Sequence, residues 1–316
     1  MLDEVGLLTV ARSDGLEACL TVHAARRWHG LPVRATRSWV HDQCLLGTPL
    51  AAGERSEGAL TDLLLGLRES DASVFAELDW IDRLGPVGGE LDAALPSSGW
   101  AFGAFSRAAL ERRPEPTYTE GRIKGKHRRS LRRLGRELAE HLGGELSVVD
   151  RAGEDRAVDQ FIELEAAGWK ARAGTDLAGS GQAGFFREIC RRFSGRGALQ
   201  LLFLEAEGTV AAARCSLRAG RVLFCFKVAF DERLRRFSPG TQLELRVIDR
   251  FHADQTLDRM DSCAASDSEL FNRLWPDRRS LQALLLPSPG LRGAAVRPIL
   301  RAATRAIGRR REDASD

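Results

Sequence analysis

The chain has 316 residues, of which 43% are hydrophobic and 29% are charged, so it can bury the cores of two modest domains beneath a charged surface. Its 47 lysines and arginines nearly balance 44 acidic residues, which makes charge informative only where it clusters. No apolar run approaches the length of a membrane span, and the acidic N-terminus lacks the apolar core of a signal peptide, so we expect a cytoplasmic protein.

The six cysteines show neither a CxxC pair nor the spacing of metal ligands. Cys215 and Cys225 fall within predicted strands, where a small buried thiol is typical of a protein in a reducing compartment. His23, His29 and His41 match no ligand motif either, and a structural role is the favoured interpretation for them. We therefore expect no metal site and no disulfide framework.

Residues 1–113 have the pattern of a small α/β unit. Gly6–Ala11 and Leu16–Val22 are apolar runs on either side of an Asp-Gly pair, which is a strong hairpin signal. The other elements predicted in this region are a helix at Leu60–Leu67 and strands at Phe75–Trp80 and Trp100–Phe105.

Pro114 and Pro116 mark a linker. The predicted organisation is a first domain at 1–113, a linker at 114–121, a second domain at 122–287 and a basic tail at 288–316. In the tail, residues 297–311 place arginines and apolar residues on separate helical stripes, which is compatible with peripheral contact to anionic lipid or with loose packing.

The segment from Arg122 to Arg136 contains eight lysines and arginines and no acid. Leucines at helical spacing run through it, so we predict an amphipathic basic helix: Leu131, Leu134, Leu138 and Leu142. One hypothesis is a docking face for the 3′-phosphate of coenzyme A, for an acyl-carrier protein or for tRNA. The alternative is a solvated face with a basic bias.

A strand at Glu145–Asp150 is followed by a helix from about Glu154 that places Glu165 among apolar side chains. A buried carboxylate is either paired or functional, so Glu165 is a candidate general base, and a structural salt bridge is the alternative. Trp169 and Lys170 then lead into a Gly-rich and Ser-rich loop at 173–184, predicted to be mobile over a cleft. A further helix is predicted at Phe185–Phe193.

Three apolar runs predict an antiparallel meander: Leu199–Glu205, Thr209–Leu217 and Val222–Phe230. We expect the last to be buried on both faces, although Lys227 in its middle must reach solvent or an anion. Ser238-Pro239-Gly240 then has the composition of a helix start, with arginines just ahead of it: Arg233, Arg235 and Arg236. A helix N-terminus in this setting is a candidate anion site, although many such helices bind nothing. Beyond it we predict a strand at Asp258–Cys263, a helix at Leu270–Trp275 and a strand at Leu281–Leu286.

Four segments resemble the GNAT acyltransferase superfamily, and more narrowly the FemAB-like "cellulose biosynthesis protein CelD" acetyltransferase group: Lys126–Arg133, Glu165–Lys170, Phe237–Thr241 and Asp261–Cys263. The resemblance implies an α/β fold with a mixed sheet and tandem GNAT-like domains, of which the C-terminal one carries the donor site. The first domain is expected to be shortened, since the family's N-terminal half usually starts earlier.

The resemblance also implies roles for particular residues. The acyl donor would be a thioester such as acetyl-CoA, with its pyrophosphate on the amides of Ser238 to Gln242 and its carbonyl polarised by the Val222–Phe230 strand. The residues implied to bind it are Arg235, Arg236, Ser238, Gly240, Thr241 and Gln242. An amine would attack directly and lose its proton to Glu165, Asp231 or water, with Lys227 nearby. Trp169, Lys170 and Asp261 would contact the acceptor, a small-molecule or glycan amine.

Two departures from the family keep other functions open. Asp261-Ser262-Cys263 replaces an Asp-Phe-Gly-like sequence, and no tyrosine is available nearby as a general acid, so Cys263, Ser262 or water would protonate the leaving group. An aminoacyl-tRNA-dependent transferase of the FemAB branch is the nearest alternative. A non-catalytic GNAT-like binding module is the other.

Overall fold

The structure is a computed structural model that describes residues 5–13, 15–41, 43–44, 46–52, 56–69, 73–85, 87–113, 123 and 125–313. In chain order its elements are β1 (Val5–Arg12), β2 (Gly15–Ala25), β3 (Ala35–Ser38), β4 (Leu50–Ala51), α1 (Ser56–Arg68), β5 (Phe75–Ile81), α2 (Gly88–Ala94), β6 (Trp100–Glu111), α3 (Gly125–Leu142), β7 (Ser147–Asp150), α4 (Ala157–Ala166), α5 (Trp169–Arg172), α6 (Ala183–Ser194), β8 (Leu199–Ala206), β9 (Thr209–Ala219), β10 (Val222–Phe230), a 3-10 turn (Glu232–Phe237), α7 (Pro239–Ala253), β11 (Arg259–Asp261), α8 (Glu269–Leu274), β12 (Asp277–Pro287) and α9 (Gly290–Asp313).

Spatial contacts divide the chain into two compact units. The first unit comprises residues 1–106 and 279–316, and the second comprises residues 107–278. The domain boundaries proposed from composition, at 113, 121 and 287, stay a prediction, and the 114–121 linker lies outside the described residues.

The first unit is a mixed sheet covered by helices. Its strand order is β1-β2-β3-β5-β12, with β4 beside β2. β3 runs parallel to β5, and the other neighbours are antiparallel, including the predicted β1–β2 hairpin. The apolar face of α1 packs on one side of this sheet, while Leu300 of α9 joins Trp28 and Phe75 in a separate cluster. The helix predicted at Leu60–Leu67 is therefore confirmed.

The second unit is a mixed sheet between two helical layers. Its strand order is β6-β11-β10-β9-β8-β7, in which only β10 and β11 run parallel among the described pairs. α3 and α7 contribute to the core on one side, through side chains such as Leu138, Leu243 and Phe251. α4 and α6 supply Phe161 and Phe186 to the core on the other side. The mixed α/β class and the three-strand meander are thus confirmed.

No helix within the described ranges combines the length and apolar character needed to cross a membrane. The cytoplasmic location stays a prediction. His29, one of the three histidines interpreted as structural, lies with its Nε2 3.0 Å from the buried carboxylate of Glu77. No group of three potential metal-ligating side chains is found among the residues that the structure describes.

Candidate functional site

The parting of β10 from β11 opens the candidate site. Val222–Phe224 pairs with Arg259–Asp261, where β11 ends, whereas β10 continues to Phe230. On its other edge β10 stays paired with β9, with a register shift around Phe226 that has the form of a β-bulge. Within the described part of the chain, the β11 edge of β10 therefore has no strand neighbour beyond Phe224.

This parting also corrects the prediction that β10 is buried on both faces. Leu223, Cys225 and Ala229 are buried, but the residues between them, Lys227 included, are only half-buried. The reason is that the sheet opens beside the strand.

A cleft of about 890 Å³ lies where the two strands separate. Its walls come from α3, the free edge of β10, the first turn of α7, the turn after β11, and α8. Lys227 lines the cleft together with Gly240 and Thr241. An open passage thus leads from the start of α7 past Lys227, which is the geometry that a donor site requires.

The first turn of α7 offers two amides to the cleft. Ser238 N–H donates to the carbonyl of Arg235 and Gln242 N–H to that of Ser238, each at 3.0 Å, and Pro239 has no N–H. The amides of Gly240 and Thr241 have no acceptor within the helix. The predicted cradle of five residues, Ser238 to Gln242, is therefore reduced to two amide donors.

Ser238 occupies the N-cap position, but its side chain makes no capping hydrogen bond. Its backbone is left-handed, with φ of 53° and ψ of 54°. This strained conformation reverses the chain between the 3-10 turn and α7, which brings the first turn of the helix to the cleft. Ser238 and Arg235 both line the cleft.

Two residues predicted to bind the donor lie elsewhere. Gln242 is buried, and its Nε2 donates to the carbonyl of Leu131 at 2.9 Å, which ties α7 to α3. Arg236 stacks its guanidinium over the Phe237 ring at 4.5 Å from the centroid and does not line the cleft. Their predicted contacts with the donor are replaced by these internal contacts.

Glu165 takes part in a buried ion pair. Its Oε1 lies 2.6 Å from Lys170 Nζ, and its Oε2 accepts the N–H of Leu177 at 2.9 Å. Lys170 lines the cleft and Glu165 does not. The structural salt bridge was the alternative proposed for this carboxylate, and its partner is Lys170 rather than an arginine of the basic helix.

Lys170 also fixes the free edge of β10, because its Nζ donates to the Val228 carbonyl at 3.0 Å. The N–H and C=O of one strand residue point to the same edge of the strand. The N–H of Val228 is therefore directed to the edge that faces the cleft. The side chain of Trp169, the neighbouring predicted acceptor contact, lies outside the described atoms.

Lys227 is the cation at the centre of the cleft wall. Its Nζ lies 6.0 Å from the Phe226 ring centroid, and the nearby Glu165 carboxylate is bound by Lys170 instead. Burial lowers the pKa of Lys227 below its ordinary value, and the charge of Glu165 only partly opposes this. An anionic group in the cleft would offset the desolvation of this ammonium.

Asp231 and Asp261 are both engaged in local structure. Asp231 accepts the N–H of Arg233 at 2.9 Å and pairs with its guanidinium, and these hydrogen bonds lower the pKa of the carboxyl. Asp261 is fully buried, pairs with Arg107 at 2.7 Å and accepts the N–H of Cys263 at 2.9 Å. Neither carboxylate lines the cleft. The proposed contact of Asp261 with the acceptor is corrected: it shapes the turn after β11 instead.

Ser262 and Cys263 enter the cleft from that turn. Cys263 has a positive φ of 52°, a conformation that the Asp261 carboxylate stabilises through the Cys263 N–H. The two candidate proton donors for a leaving group therefore lie in the cleft.

The loop at 173–184 does not cover the cleft. Its residues are absent from the cleft walls, and Leu177 is buried in the core beside α4 and α6. Glu165 holds this segment through the Leu177 amide. A composition rich in Gly and Ser predicted mobility here, but it did not reveal that one leucine anchors the segment.

The sequence analysis missed the wall formed by α8. Trp275, at the end of this helix, is fully buried and donates Nε1 to Glu244 at 2.9 Å, and Glu244 pairs with the buried Arg214 at 2.8 Å. Burial raises the pKa of Glu244, while the Arg214 charge opposes this shift. An arginine inside the apolar run of β9 was the available signal for this network, which anchors α8 beside the cleft.

A protein-family model described as an acetyltransferase (GNAT) domain matches residues 125–269 and confirms the resemblance to the GNAT superfamily. No curated protein sequence is a significant match.

Several solved structures share the fold at low sequence identity. The C-terminal domain of a putative lysylphosphatidylglycerol synthetase from Agrobacterium fabrum aligns with a TM-score of 0.54 and 13% identity, over 94% of this chain and 87% of that one. FemX aligns with a TM-score of 0.52 and 10% identity, over 94% and 90% of the two chains. L-PGS from Bacillus licheniformis aligns with a TM-score of 0.54 and 11% identity, over 95% and 88%. These likenesses extend over both units and show the fold alone.

Proposed function

We propose that this chain, whose residues 125–269 form a GNAT acetyltransferase domain, moves an acyl group from a thioester donor to an amine acceptor. The donor is acyl-CoA, such as acetyl-CoA, or an acyl-carrier protein, and the amine attacks directly in a ternary complex. The observation that carries this proposal is the cleft opened by β10 and β11, which joins the free first turn of α7 to Lys227.

The start of α7 holds the donor phosphates. The amides of Gly240 and Thr241 and the positive end of the helix dipole favour a pyrophosphate here, and Arg235 adds a guanidinium. Glycine at position 240 keeps the approach open, because a Cβ built there would have its nearest neighbour 3.9 Å away, in the Phe230 ring. A donor seated in this way extends its thioester along β10.

The free edge of β10 polarises the thioester carbonyl. The N–H of Val228 is directed to that edge, and Lys227 supplies a positive charge beside it. The amine nitrogen attacks the carbonyl carbon, the C–S bond breaks, and the thiolate takes a proton from Cys263, Ser262 or water. Amine and thioester held side by side gain most of their rate from proximity.

The surplus proton of the attacking amine passes to water. Glu165 and Asp231 were the other candidate bases, but both are paired outside the cleft. Glu165 acts on the reaction through Lys170, which it orients against the Val228 carbonyl. It is therefore a positioning residue in this mechanism.

A second candidate function is aminoacyl-tRNA-dependent transfer of the FemAB type. It is favoured by the basic face of α3, whose His127 and Ser130 line the same cleft. An acyl-carrier protein could dock on this face instead. Membrane contact through residues 297–311 and the identity of the amine stay predictions.

The test is calorimetric titration of the full chain with acetyl-CoA, followed by detection of free thiol in the presence of a panel of amines. Binding that brings thiol release only with an amine supports the proposal. Binding of aminoacyl-tRNA that weakens steeply with salt, without binding of acetyl-CoA, selects the second candidate. Failure to bind either donor leaves a non-catalytic binding module and overturns both.

A further inference from the structure

A second cavity, of about 630 Å³, lies between α3 and α7. It shares only Leu131 with the walls of the cleft described above. We call it the arginine groove, after four of its lining residues: Arg128, Arg132, Arg136 and Arg246. The proposed transfer reaction makes no use of it.

The arginines are arranged in a row. Arg128, Arg132 and Arg136 recur every four residues along α3, so they rise by about 6 Å each on one helical face. Arg246 faces them from α7 and is half-buried, with its Nη1 donating to the carbonyl of Gln242 at 2.9 Å. Burial lowers the pKa of Arg246, so its desolvation is incompletely offset by the protein.

The charge balance of the groove favours an anion. Glu145 and Asp249 also line it, but both lie exposed at the surface and leave the four guanidinium groups in excess. Arginine rather than lysine at all four positions suits phosphate, because the planar fork binds two phosphate oxygens at once.

The floor of the groove is apolar. Leu131, Leu146 and Leu245 line it, together with Gly135 and Ala139 of α3. A Cβ added at Gly135 would lie 2.7 Å from Gln242 Oε1, so this glycine lets α3 and α7 approach closely. An apolar floor beside a row of guanidinium groups can accept an aromatic base together with its phosphates.

We propose that the arginine groove is a second ligand site, separate from the cleft, for a phosphorylated nucleotide whose base lies on the leucine floor and whose phosphates contact the arginine row. A free nucleotide and the nucleotides of an RNA strand share this chemistry. The proposal goes beyond the transfer reaction and is tested by binding alone, so its outcome is independent of whether the chain transfers acyl groups.

The experiment measures fluorescence anisotropy of a labelled hexa-adenylate RNA on the full chain, with unlabelled ATP as the competitor. The groove variant is Arg132→Glu with Arg136→Glu. The matched control is Arg129→Glu with Arg133→Glu, which makes the same charge change at exposed positions of α3 outside the groove. Gly240→Glu controls for binding in the cleft. Thermal unfolding checks that each variant is folded.

We expect the groove variant to weaken binding at least about tenfold and the matched control less than about threefold, with a smaller salt slope only for the former, by about 0.7 per lost phosphate contact. Gly240→Glu should leave probe binding unchanged. RNA binding much tighter than ATP identifies an RNA strand as the source, and comparable affinities identify a free nucleotide. Equal losses in both arginine pairs, loss with Gly240→Glu, or no binding by the unmodified chain would overturn the proposal.

Discussion

Replacement of Gly240 by glutamate should stabilise the fold and weaken donor binding at the same time. Gly240 lies in the first turn of α7, has room for a side chain, and presents its amide to the cleft. A carboxylate there interacts favourably with the helix dipole but repels a pyrophosphate that occupies the same amides. Gly240→Gln is the matched control, since it has the same shape without the charge.

The expected magnitudes follow from the position of the residue. Replacing glycine within a helix and adding an acid to its first turn should together raise the free energy of unfolding by about 1 kcal/mol. A carboxylate about 6 Å from one phosphate charge costs about 3 kcal/mol at an effective dielectric constant near 20, which corresponds to about a hundredfold weaker binding. The glutamine variant should gain most of the stability and keep donor affinity within about threefold.

The assay combines urea unfolding with calorimetric titration of acetyl-CoA for the unmodified chain and both variants. Opposite changes in stability and affinity in the glutamate variant, with affinity retained in the glutamine variant, support phosphate binding at α7. If both variants lose affinity equally, the cause is the volume of the side chain. If neither loses affinity, the phosphates lie elsewhere and the reasoning is refuted.

Three further predictions concern the cleft and the cores. Lys227→Met should lower kcat about tenfold while donor affinity stays within about threefold, because the methionine keeps the length of the side chain and removes the charge beside the carbonyl; steady-state kinetics that show only a KM change would contradict this. Glu77 is buried, and although burial alone would raise its pKa, the hydrogen bond from His29 and the charge of Arg37 lower it to about 2. Because the folded pKa lies below the unfolded value, Glu77 stabilises the fold at neutral pH, and this stability is lost as pH falls from about 4.5 towards 2. Glu77→Gln should therefore cost on the order of 3 kcal/mol at pH 7 and progressively less in acid, and a loss that is independent of pH in urea unfolding would count against the linkage. Trp275→Phe leaves the Glu244 carboxylate one hydrogen bond short and should cost about 1 to 3 kcal/mol by the same assay, whereas an unchanged midpoint would show that α8 is anchored by packing alone.

The elements around the site were predictable because their signals are local. An unbroken apolar run predicts β10, and Pro-Gly followed by apolar residues at helical spacing predicts α7, so the strand, turn and helix could be placed within a residue or two. The meander followed from short turns between apolar runs. The parting of β10 from β11 was not predictable in this way, since it depends on where a three-residue strand ends against its neighbour.

The roles of the acidic residues were harder to predict, because a carboxylate in an apolar context has the same sequence signal whether it is paired or catalytic. Asp261 meets Arg107, which is 154 positions earlier in the chain, and no local pattern connects the two. Glu165 meets Lys170 only five positions away, but the pairing depends on how α5 turns back over the strand edge. Contacts in space separate these cases, and they move both residues from substrate binding or catalysis to support.

The basic helix shows how one sequence signal can contain two sites. The charge density of residues 122–136 predicted an anionic partner, but density alone does not tell which face of a helix meets it. In the structure, His127 and Ser130 line the donor cleft, whereas Arg128 and Arg132 line a separate groove against α7. Neighbouring positions on a helix point about 100° apart, so adjacent residues can serve different ligands. A test that reverses the whole segment would therefore merge two effects, and only variants sorted by helical face can separate donor binding from a second nucleotide.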